Sequence, residues 1–273
     1  MGSREVLVVG ATGIVGSRVT RRLRERATPV RAASRTGRTR FDWGDPATWD
    51  PCLEGVQAAF VMAPDGVEVA PDFLQRAGSA GVERVVLLSS KGIEVMGDKR
   101  LLAAEQAVRS TALQWTIVRP DWFDQNFDEG VLRDSVLSGE IVLPVGATRQ
   151  AFNDADDIAA VVTVAMVEDG HDGRVYELSG PQALSFHDAA AAIARVSGRR
   201  VRFSGGADRY VEVMTGFGLD RRQVLAEVDA FEALAANGDA EVTDTVTRVT
   251  GRAPVSFGAY AARAAARRAW ADD

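Results

Sequence analysis

Three glycines near the start of the chain have the spacing of a phosphate-binding turn. Gly10, Gly13 and Gly16 read G-x-x-G-x-x-G and directly follow the apolar run of residues 6–9. Glycines in such a turn let backbone N–H groups and a helix N-terminus approach a pyrophosphate. Ordinary tight turns also use glycine, but the position between a strand and an amphipathic helix favours the cofactor interpretation. The predicted contacts come from Gly10, Thr12, Gly13, Ile14, Val15 and Gly16.

Arg35 stands where dinucleotide-binding folds select their cofactor, at the end of the predicted strand 29–34. An acidic residue at this position would bind a ribose 2′-hydroxyl, whereas a guanidinium binds a 2′-phosphate through charge-assisted hydrogen bonds. Ser34, Arg35 and the nearby Arg38 or Arg40 therefore favour NADP(H) over NAD(H). The alternative is that Arg35 is a solvated loop arginine.

The elements that position these residues alternate between strand and helix. The predicted strands are residues 6–9, 29–34, 41–43, 56–62, 83–90 and 114–119, and the helices between and after them include 46–53, 67–80, 98–110, 186–196, 208–215, 221–236 and 257–270. This alternation predicts an α/β fold with a Rossmann-type doubly wound parallel sheet and ligands beyond the carboxyl ends of its strands. Residues 1–150 are expected to form the NADP(H)-binding domain, with 151–182 returning to it, and 183–273 a smaller, mostly helical substrate-binding region.

Three further strand ends complete the predicted cofactor site. Ala63 and Pro64 form a small-residue end of the strand 56–62, which would let the cofactor's ribose lie close. Ser89 and Pro120 end the next two strands and are assigned to the same site because parallel strands share one carboxyl edge.

Composition narrows the possible function classes. A chain of 273 residues with 46% hydrophobic and 26% charged residues is globular in type. The single cysteine, Cys52, excludes an internal disulfide or thiolate cluster, and with two histidines we predict no metal site. The net charge of −6 argues against a nucleic-acid partner, although arginines crowd residues 18–40. With no membrane-length apolar run and no signal-peptide pattern, we expect a cytoplasmic protein.

The later motifs carry a family resemblance. Residues 119–127, RPDWFDQNF, together with DDIA at 156–159 and the stretch 173–185, resemble the NmrA-like atypical short-chain dehydrogenase/reductases. The opening G-A-T-G-x-x-G is similar to theirs as well. The resemblance implies that Asp42 lies near the adenine amino group of the cofactor.

A narrower resemblance concerns two aromatic stretches. Residues 40–49, RFDWGDPATW, and the closing residues 254–270 are similar to the ergot-alkaloid (festuclavine and agroclavine) reductases. Members of that subgroup reduce an iminium carbon with NADPH. The resemblance therefore implies hydride transfer to a related electrophile.

One family feature is missing from the helix predicted at 98–110. The stretch LLAAEQ aligns Glu105 with a glutamate that commonly follows the Tyr-x-x-x-Lys motif of extended short-chain reductases. The tyrosine position is then Gly97 and the lysine position Leu101, and neither side chain transfers a proton. The resemblance therefore implies that the usual acid/base pair is absent.

Lys91, Ser90 and Asp121 are the catalytic candidates that remain at the strand ends. Lys91 lies near the position of the family's catalytic serine and could protonate or orient a carbonyl; the alternative is an exposed loop lysine. Asp121, or Asp124, could stabilise a substrate cation, and the alternative for either is a helix cap.

The substrate candidates are Trp122, Phe123, Asn126, Tyr210 and Met214. Tyr210 and Met214 recur at helical spacing, which core residues also show. The leading hypothesis is an NADPH-dependent reductase of a small-molecule imine or iminium, enone or quinone-like acceptor, plausibly in secondary metabolism. Two alternatives stay open, namely an NADP(H)-binding redox sensor and a non-redox enzyme that keeps the cofactor as a scaffold. The expected partner is a small-molecule substrate, and the expected assembly is a monomer or homodimer.

Overall fold

A parallel seven-stranded sheet forms the centre of the computed structural model, which describes residues 5–271. The strands are β1 (Glu5–Val9), β2 (Val30–Ser34), β3 (Thr39–Arg40), β4 (Val56–Val61), β5 (Arg84–Leu88), β6 (Gln114–Pro120), β7 (Glu140–Val142), β8 (Arg149–Gln150), β9 (Arg174–Leu178), β10 (Leu184–Ser185) and β11 (Arg202–Ser204). The sheet order is β3-β2-β1-β4-β5-β6-β9, and every neighbouring pair is parallel. The order reverses beside β1, which confirms the doubly wound Rossmann-type fold and places the crevice at the glycine turn.

Helices cover both faces of this sheet. They are α1 (Ile14–Glu25), α2 (Asp50–Leu53), α3 (Pro71–Ser79), α4 (Lys99–Arg109), α5 (Arg133–Ser138), α6 (Ala155–Val167), α7 (Phe186–Ser197), α8 (Ala207–Gly216), α9 (Arg221–Ala236), α10 (Thr245–Thr250) and α11 (Phe257–Ala266). Successive side chains of β1 point to opposite faces. Val6 and Val8 join the cluster made with α1, α6 and α10, whereas Leu7 and Val9 join the cluster made with α2, α3 and α4. Burial on both faces explains why β1 is a continuous apolar run.

A second core lies beyond the strand ends and draws on two parts of the sequence. Strand β7 pairs with β11 and β8 pairs with β10, so residues 140–150 lie with the C-terminal region. Phe127, Ile141 and Phe152 share one apolar cluster with Phe186 and Phe257. The expected division at residue 150 therefore differs from the structure, because the segment after β6 is needed to bury the helices α7 and α11. Residues 1–4 and 272–273 of the expected domains lie outside the described residues.

Local turn chemistry moves several predicted boundaries. Residues 41–43 were expected as a strand, but β3 ends at Arg40 because Asp42 bonds locally. Its Oδ1 accepts from Gly44 N at 3.0 Å and its carbonyl accepts from Trp49 Nε1 at 2.8 Å. The expected helix 67–80 begins only at Pro71, and the last helix ends at Ala266. Helix α10 was not predicted.

Among residues 5–271, no helix is both long and apolar enough to cross a membrane.

Candidate cofactor and active site

The glycine turn after β1 is shaped so that side chains are excluded from it. Gly10 has a φ of 71°, in the left-handed region, and its carbonyl accepts from Gly13 N at 2.9 Å. A Cβ on Gly10 would lie 2.6 Å from Met62 Sδ, and a Cβ on Gly16 would lie 2.2 Å from Gly10 O. The glycines thus bring α1 directly against the end of β1.

The N-terminus of α1 opens towards this turn. Gly13 is the N-cap residue, no described side chain caps the helix, and its first turn contains no acidic residue. Thr12 and Gly13 are exposed. Since the first N–H groups of a helix have no partner within the helix, and its dipole favours anions there, this end suits a pyrophosphate.

The end of β2 presents a cation beside a buried hydroxyl. Arg35 is exposed and has no ion pair among residues 5–271, whereas Arg40 lies 3.5 Å from Asp45 Oδ2. Ser34 Oγ is buried without a hydrogen-bond partner in the same part of the chain, and a Cβ on Gly37 would lie 2.6 Å from it. An unpaired guanidinium at this position fits a 2′-phosphate.

The remaining predicted cofactor residues lie along the same edge. Ala63 is half-buried and Pro64 exposed at the end of β4, and Asp42 is half-buried with one carboxylate oxygen held by Gly44. Pro120 is the buried last residue of β6, and its carbonyl accepts from Lys91 N at 2.9 Å. The structure brings these residues to one edge, and their contacts with the cofactor stay predictions.

Ser89 is part of a buried ionic network. Its hydroxyl donates to Glu105 Oε1 at 2.6 Å, and Arg119 donates to the two oxygens of Glu105 from Nε at 2.7 Å and Nη2 at 2.8 Å. Burial would raise the pKa of Glu105, but the hydrogen bonds from Arg119 and Ser89 outweigh it and lower the pKa. The sequence located Glu105 and missed both partners. The Ser89 hydroxyl therefore fixes α4 against the sheet. This hydrogen bond does not support a cofactor contact through the same hydroxyl, and the assignment of Ser89 to the cofactor site stays a prediction.

Lys91 reaches across the site to a segment that we call the closing strap, residues 237–244. Lys91 Nζ donates to Glu241 O at 3.1 Å, and Thr243 N donates to Ser179 Oγ at 2.7 Å beyond the end of β9. Ser90 Oγ donates to Lys91 O at 3.2 Å. The strap thus crosses the ends of β5 and β9, which no sequence motif indicated.

Comparisons with known proteins agree with this geometry. A family described as NAD(P)H-binding matches residues 10–142. The uncharacterized oxidoreductase YesF of Bacillus subtilis is 35% identical over 97% of this chain and 97% of its own length. The NAD(P)H azoreductase of Xenophilus azovorans is 32% identical over 94% and 96% of the two chains. The chain belongs to the NAD(P)H-binding, NmrA-like family of atypical short-chain dehydrogenase/reductases.

More distant relatives of this NmrA-like protein fit the same placement. Agroclavine dehydrogenase of Claviceps fusiformis is 26% identical over 92% of this chain and 94% of its own length, so the ergot-alkaloid reductases are relatives, at lower identity than the azoreductase. The crystal structure of an NADPH-dependent quinone oxidoreductase, QOR2, from Escherichia coli has a TM-score of 0.77 at 20% identity. It covers 94% of this chain and 98% of its own chain and shows the same fold.

The carboxylate of Asp121 in this NmrA-like protein accepts hydrogen bonds from backbone N–H groups. Its two carboxylate oxygens accept from Trp122 N at 2.8 Å and Ala151 N at 3.1 Å, and its own N–H donates to Asn153 Oδ1 at 2.9 Å. Burial raises the pKa of Asp121, while those backbone hydrogen bonds and the nearby Lys91 oppose the rise. Asp121 therefore joins the loop after β6 to residues 151–153 and is not a helix cap. Its catalytic role stays a prediction.

Asp124 differs from every other described carboxylate. Both of its oxygens are buried and have no hydrogen-bond partner among residues 5–271. Burial, reinforced by the neighbouring Asp154 and Asp157, raises its pKa well above the usual value. Asp124 is therefore neither an exposed substrate anchor nor a helix cap; the N-cap of its short 3-10 turn is Phe123.

The substrate candidates fall into two groups. The half-buried Trp122 stacks on Phe231 at 6.1 Å between ring centroids. The half-buried Phe123 packs against the core cluster that also receives Ala11 and Met62. Asn126 is half-buried in the same loop. These three lie on the segment that directly follows β6.

Tyr210 and Met214 belong to α8, further along the chain. Tyr210 is only 6% exposed and donates its hydroxyl to Glu227 at 2.8 Å, so it packs in the core, and its role in a substrate pocket stays a prediction. Met214 packs half-buried against the same cluster. Residues at helical spacing are also typical of a core, and that alternative interpretation fits both Tyr210 and Met214.

Proposed function

We propose that this NmrA-like protein is an NADPH-dependent reductase of a small-molecule imine or iminium, enone or quinone-like acceptor, plausibly in secondary metabolism. The observation that carries the proposal is Arg35, which follows β2 and has no ion-pair partner within the described residues 5–271. In the same part of the chain no side chain caps the N-terminus of α1. The names of the relatives support it, since they include an azoreductase and an agroclavine dehydrogenase.

The acceptor class follows from the proton donors that this chain has. The chain contains three tyrosines. They are Tyr176 on β9, Tyr210 on α8 and Tyr260 on α11. Each hydroxyl lies 2.8 Å from a side-chain partner, which is His171 Nδ1 for the first, Glu227 Oε2 for the second and Asp128 Oδ1 for the third. By the family resemblance, Gly97 just before α4 and Leu101 within it occupy the Tyr and Lys positions. An iminium carbon accepts hydride without a proton donor, so an acceptor of that type tolerates the missing pair.

Reduced nicotinamide supplies the hydride when it is bound. The glycine turn and the α1 N-terminus bind the pyrophosphate, and Arg35 binds the 2′-phosphate. Half-buried Ala11, Ile14 and Met62 lie at the turn, and half-buried Phe123 packs against the same core cluster. We expect these apolar side chains to exclude water from the reacting atoms. Lys91, held by the strap, orients or protonates an acceptor oxygen where the acceptor has one.

The direct test mixes purified protein and NADPH with one iminium, one quinone, one enone and one azo dye, and records absorbance of NADPH. We expect oxidation with at least one acceptor and a preference for NADPH over NADH. Failure of all four acceptors, with NADPH binding confirmed by calorimetry, would reject turnover of this kind. Light scattering during purification distinguishes the predicted monomer from the homodimer.

A redox sensor is the second candidate. It is favoured because the Ser89 hydroxyl is hydrogen-bonded to Glu105 and the Asp121 carboxylate to backbone N–H groups, so both side chains already have partners. A sensor must distinguish the two redox states of its ligand. Calorimetry with NADP⁺ and NADPH should then give dissociation constants that differ at least about tenfold. Equal affinities would remove this candidate.

A further inference from the structure

An open cavity of about 160 Å³, with both polar and apolar side chains in its lining, lies among α1, α6 and α10, away from the glycine turn. Arg22 enters it from α1, eight residues beyond the first residue of that helix, or about 12 Å along its axis. Glu25, the last residue of α1, and Arg26 after it also line the cavity, together with Arg252 after α10. An apolar cavity of about 150 Å³ holds a benzene-sized molecule, so this one has room for a small metabolite group.

The positive charges in this cavity are only partly compensated. Arg26 is paired with Glu168 at 2.8 Å. Arg22 and Arg252 have no carboxylate within ion-pair distance among residues 5–271, and Arg22 Nε is buried there without a hydrogen-bond partner. Burial together with repulsion by Arg252 lowers the pKa of Arg22, while the nearby carboxylates of Asp156 and Asp157 oppose the shift. Arg22 is half-buried and Arg252 is exposed. Because a buried donor is normally paired, the Nε of Arg22, which has no partner among residues 5–271 and faces a second guanidinium, indicates a place for an anion between the two side chains.

We propose that this cavity is a binding site for a small metabolite with one phosphate monoester group. A phosphate monoester carries close to two negative charges at neutral pH, which complements the guanidinium groups of Arg22 and Arg252. Guanidinium groups bind phosphate oxygens in pairs of parallel hydrogen bonds. Glu25 also lines the cavity and disfavours a ligand with a second acidic group.

The position of the site gives its occupant a structural role. Helix α1 carries the glycine turn at its N-terminus, and α10 follows the closing strap directly in the chain. A phosphate held by both Arg22 and Arg252 joins these two segments. It therefore stabilises the strap against the nucleotide-binding layer from outside the active site.

Inorganic phosphate serves as the probe in calorimetry and thermal unfolding, without any cofactor and against potassium chloride of equal ionic strength. We expect wild type to bind phosphate with a dissociation constant of about 1 mM or tighter. Arg22→Gln and Arg252→Gln should each weaken binding at least about tenfold. Arg24→Gln is the matched control, because Arg24 is an exposed arginine of α1 outside the cavity.

Arg35→Gln separates this site from the cofactor site, and the phosphate response should persist in that variant. Loss of the response in Arg35→Gln alone, or equal responses in Arg22→Gln and Arg24→Gln, would overturn the proposal. No response beyond that to chloride, or an equal response to acetate, would overturn it as well. Arg22→Gln should unfold no earlier than wild type in phosphate-free buffer, and the exposed Arg252 provides the test if Arg22→Gln fails to fold.

Discussion

The carbonyl oxygen of Gly10 lies 2.2 Å from where a Cβ on Gly16 would be, so β1 and α1 touch through backbone atoms. Gly16→Ala must push α1 away from the turn. We expect the free energy of unfolding to fall by about 1–3 kcal/mol and NADPH binding to weaken at least tenfold. Chemical denaturation and calorimetry measure the two effects. Gly258→Ala in α11 is the control, with no atom within 4 Å of its Cβ, and should be neutral or stabilising. Similar behaviour of both variants would contradict the close-contact argument.

Arg35→Asp tests cofactor choice. Replacing a cation by an anion beside the 2′-phosphate should weaken NADPH binding by at least about tenfold, or ~1.4 kcal/mol, and leave NADH binding unchanged or stronger. Titration of each dinucleotide by calorimetry gives both constants. Arg24→Asp makes the same charge change on an exposed face of α1 and should affect neither. An unchanged constant for NADPH in Arg35→Asp would reject the 2′-phosphate role.

Glu105→Gln tests the buried network below the active site. Removing the charge leaves Arg119 with only its contacts to Glu94 and Glu177, so we expect destabilisation of about 3 kcal/mol at pH 7. Because folding lowers the pKa of Glu105, its contribution is complete above the usual value of 4.5 and is lost as the pH falls through the lower folded value. The difference between variant and wild type should therefore narrow below about pH 4.5. Denaturation curves between pH 3 and 7 check this, with Glu232→Gln, an exposed glutamate of α9, as control. A difference that does not change with pH would rule out the ionic explanation.

Asp124→Asn should have the opposite dependence on pH. Folding raises the pKa of Asp124, so wild type loses stability as the pH rises from the usual 3.8 towards the folded value. The asparagine variant lacks this loss and should be more stable than wild type at pH 7, with the advantage shrinking towards pH 4. Thermal unfolding across that range measures it, and the exposed Asp229→Asn provides the baseline. Parallel stability curves for Asp124→Asn and wild type would show that Asp124 does not titrate as described.

Lys91→Met separates the acceptor classes. If the Lys91 ammonium supplies or orients a proton, kcat for a quinone or enone should fall by about 10²-fold or more, while an iminium acceptor is little affected. The variant also loses the 3.1 Å contact to Glu241, so KM for both acceptors should rise together. Steady-state kinetics with Lys99→Met as control resolves the two effects. Equal changes in kcat for both acceptors would leave Lys91 with a positioning role alone.

The features of the fold that depend on local sequence patterns were predicted from the sequence. The run at β1, the glycine spacing and the alternation of elements were enough for the Rossmann-type sheet and for its NAD(P)H-binding edge. The strap over Lys91 escaped prediction because it is an irregular segment whose backbone atoms are held by the side chains of Lys91 and Ser179, just beyond the ends of β5 and β9. Asp124 escaped because burial without a partner depends on tertiary packing, and the same residue type in a loop usually caps a helix. Ser89 and Glu105 were located separately, but their contact joins residues sixteen positions apart.

The pairing of β7 with β11 and of β8 with β10 limits how this protein can be re-engineered. The second core, beyond the strand ends, is formed by two separate segments of the chain. The loop that carries Trp122 and Phe123 leads into the first of these segments. A chimaera that exchanges only residues 183–273 with a relative would pair β7 and β8 of this chain with the β11 and β10 strands of the relative. Exchange of the C-terminal helices between members of the family therefore requires residues 121–152 to be exchanged with them as one unit.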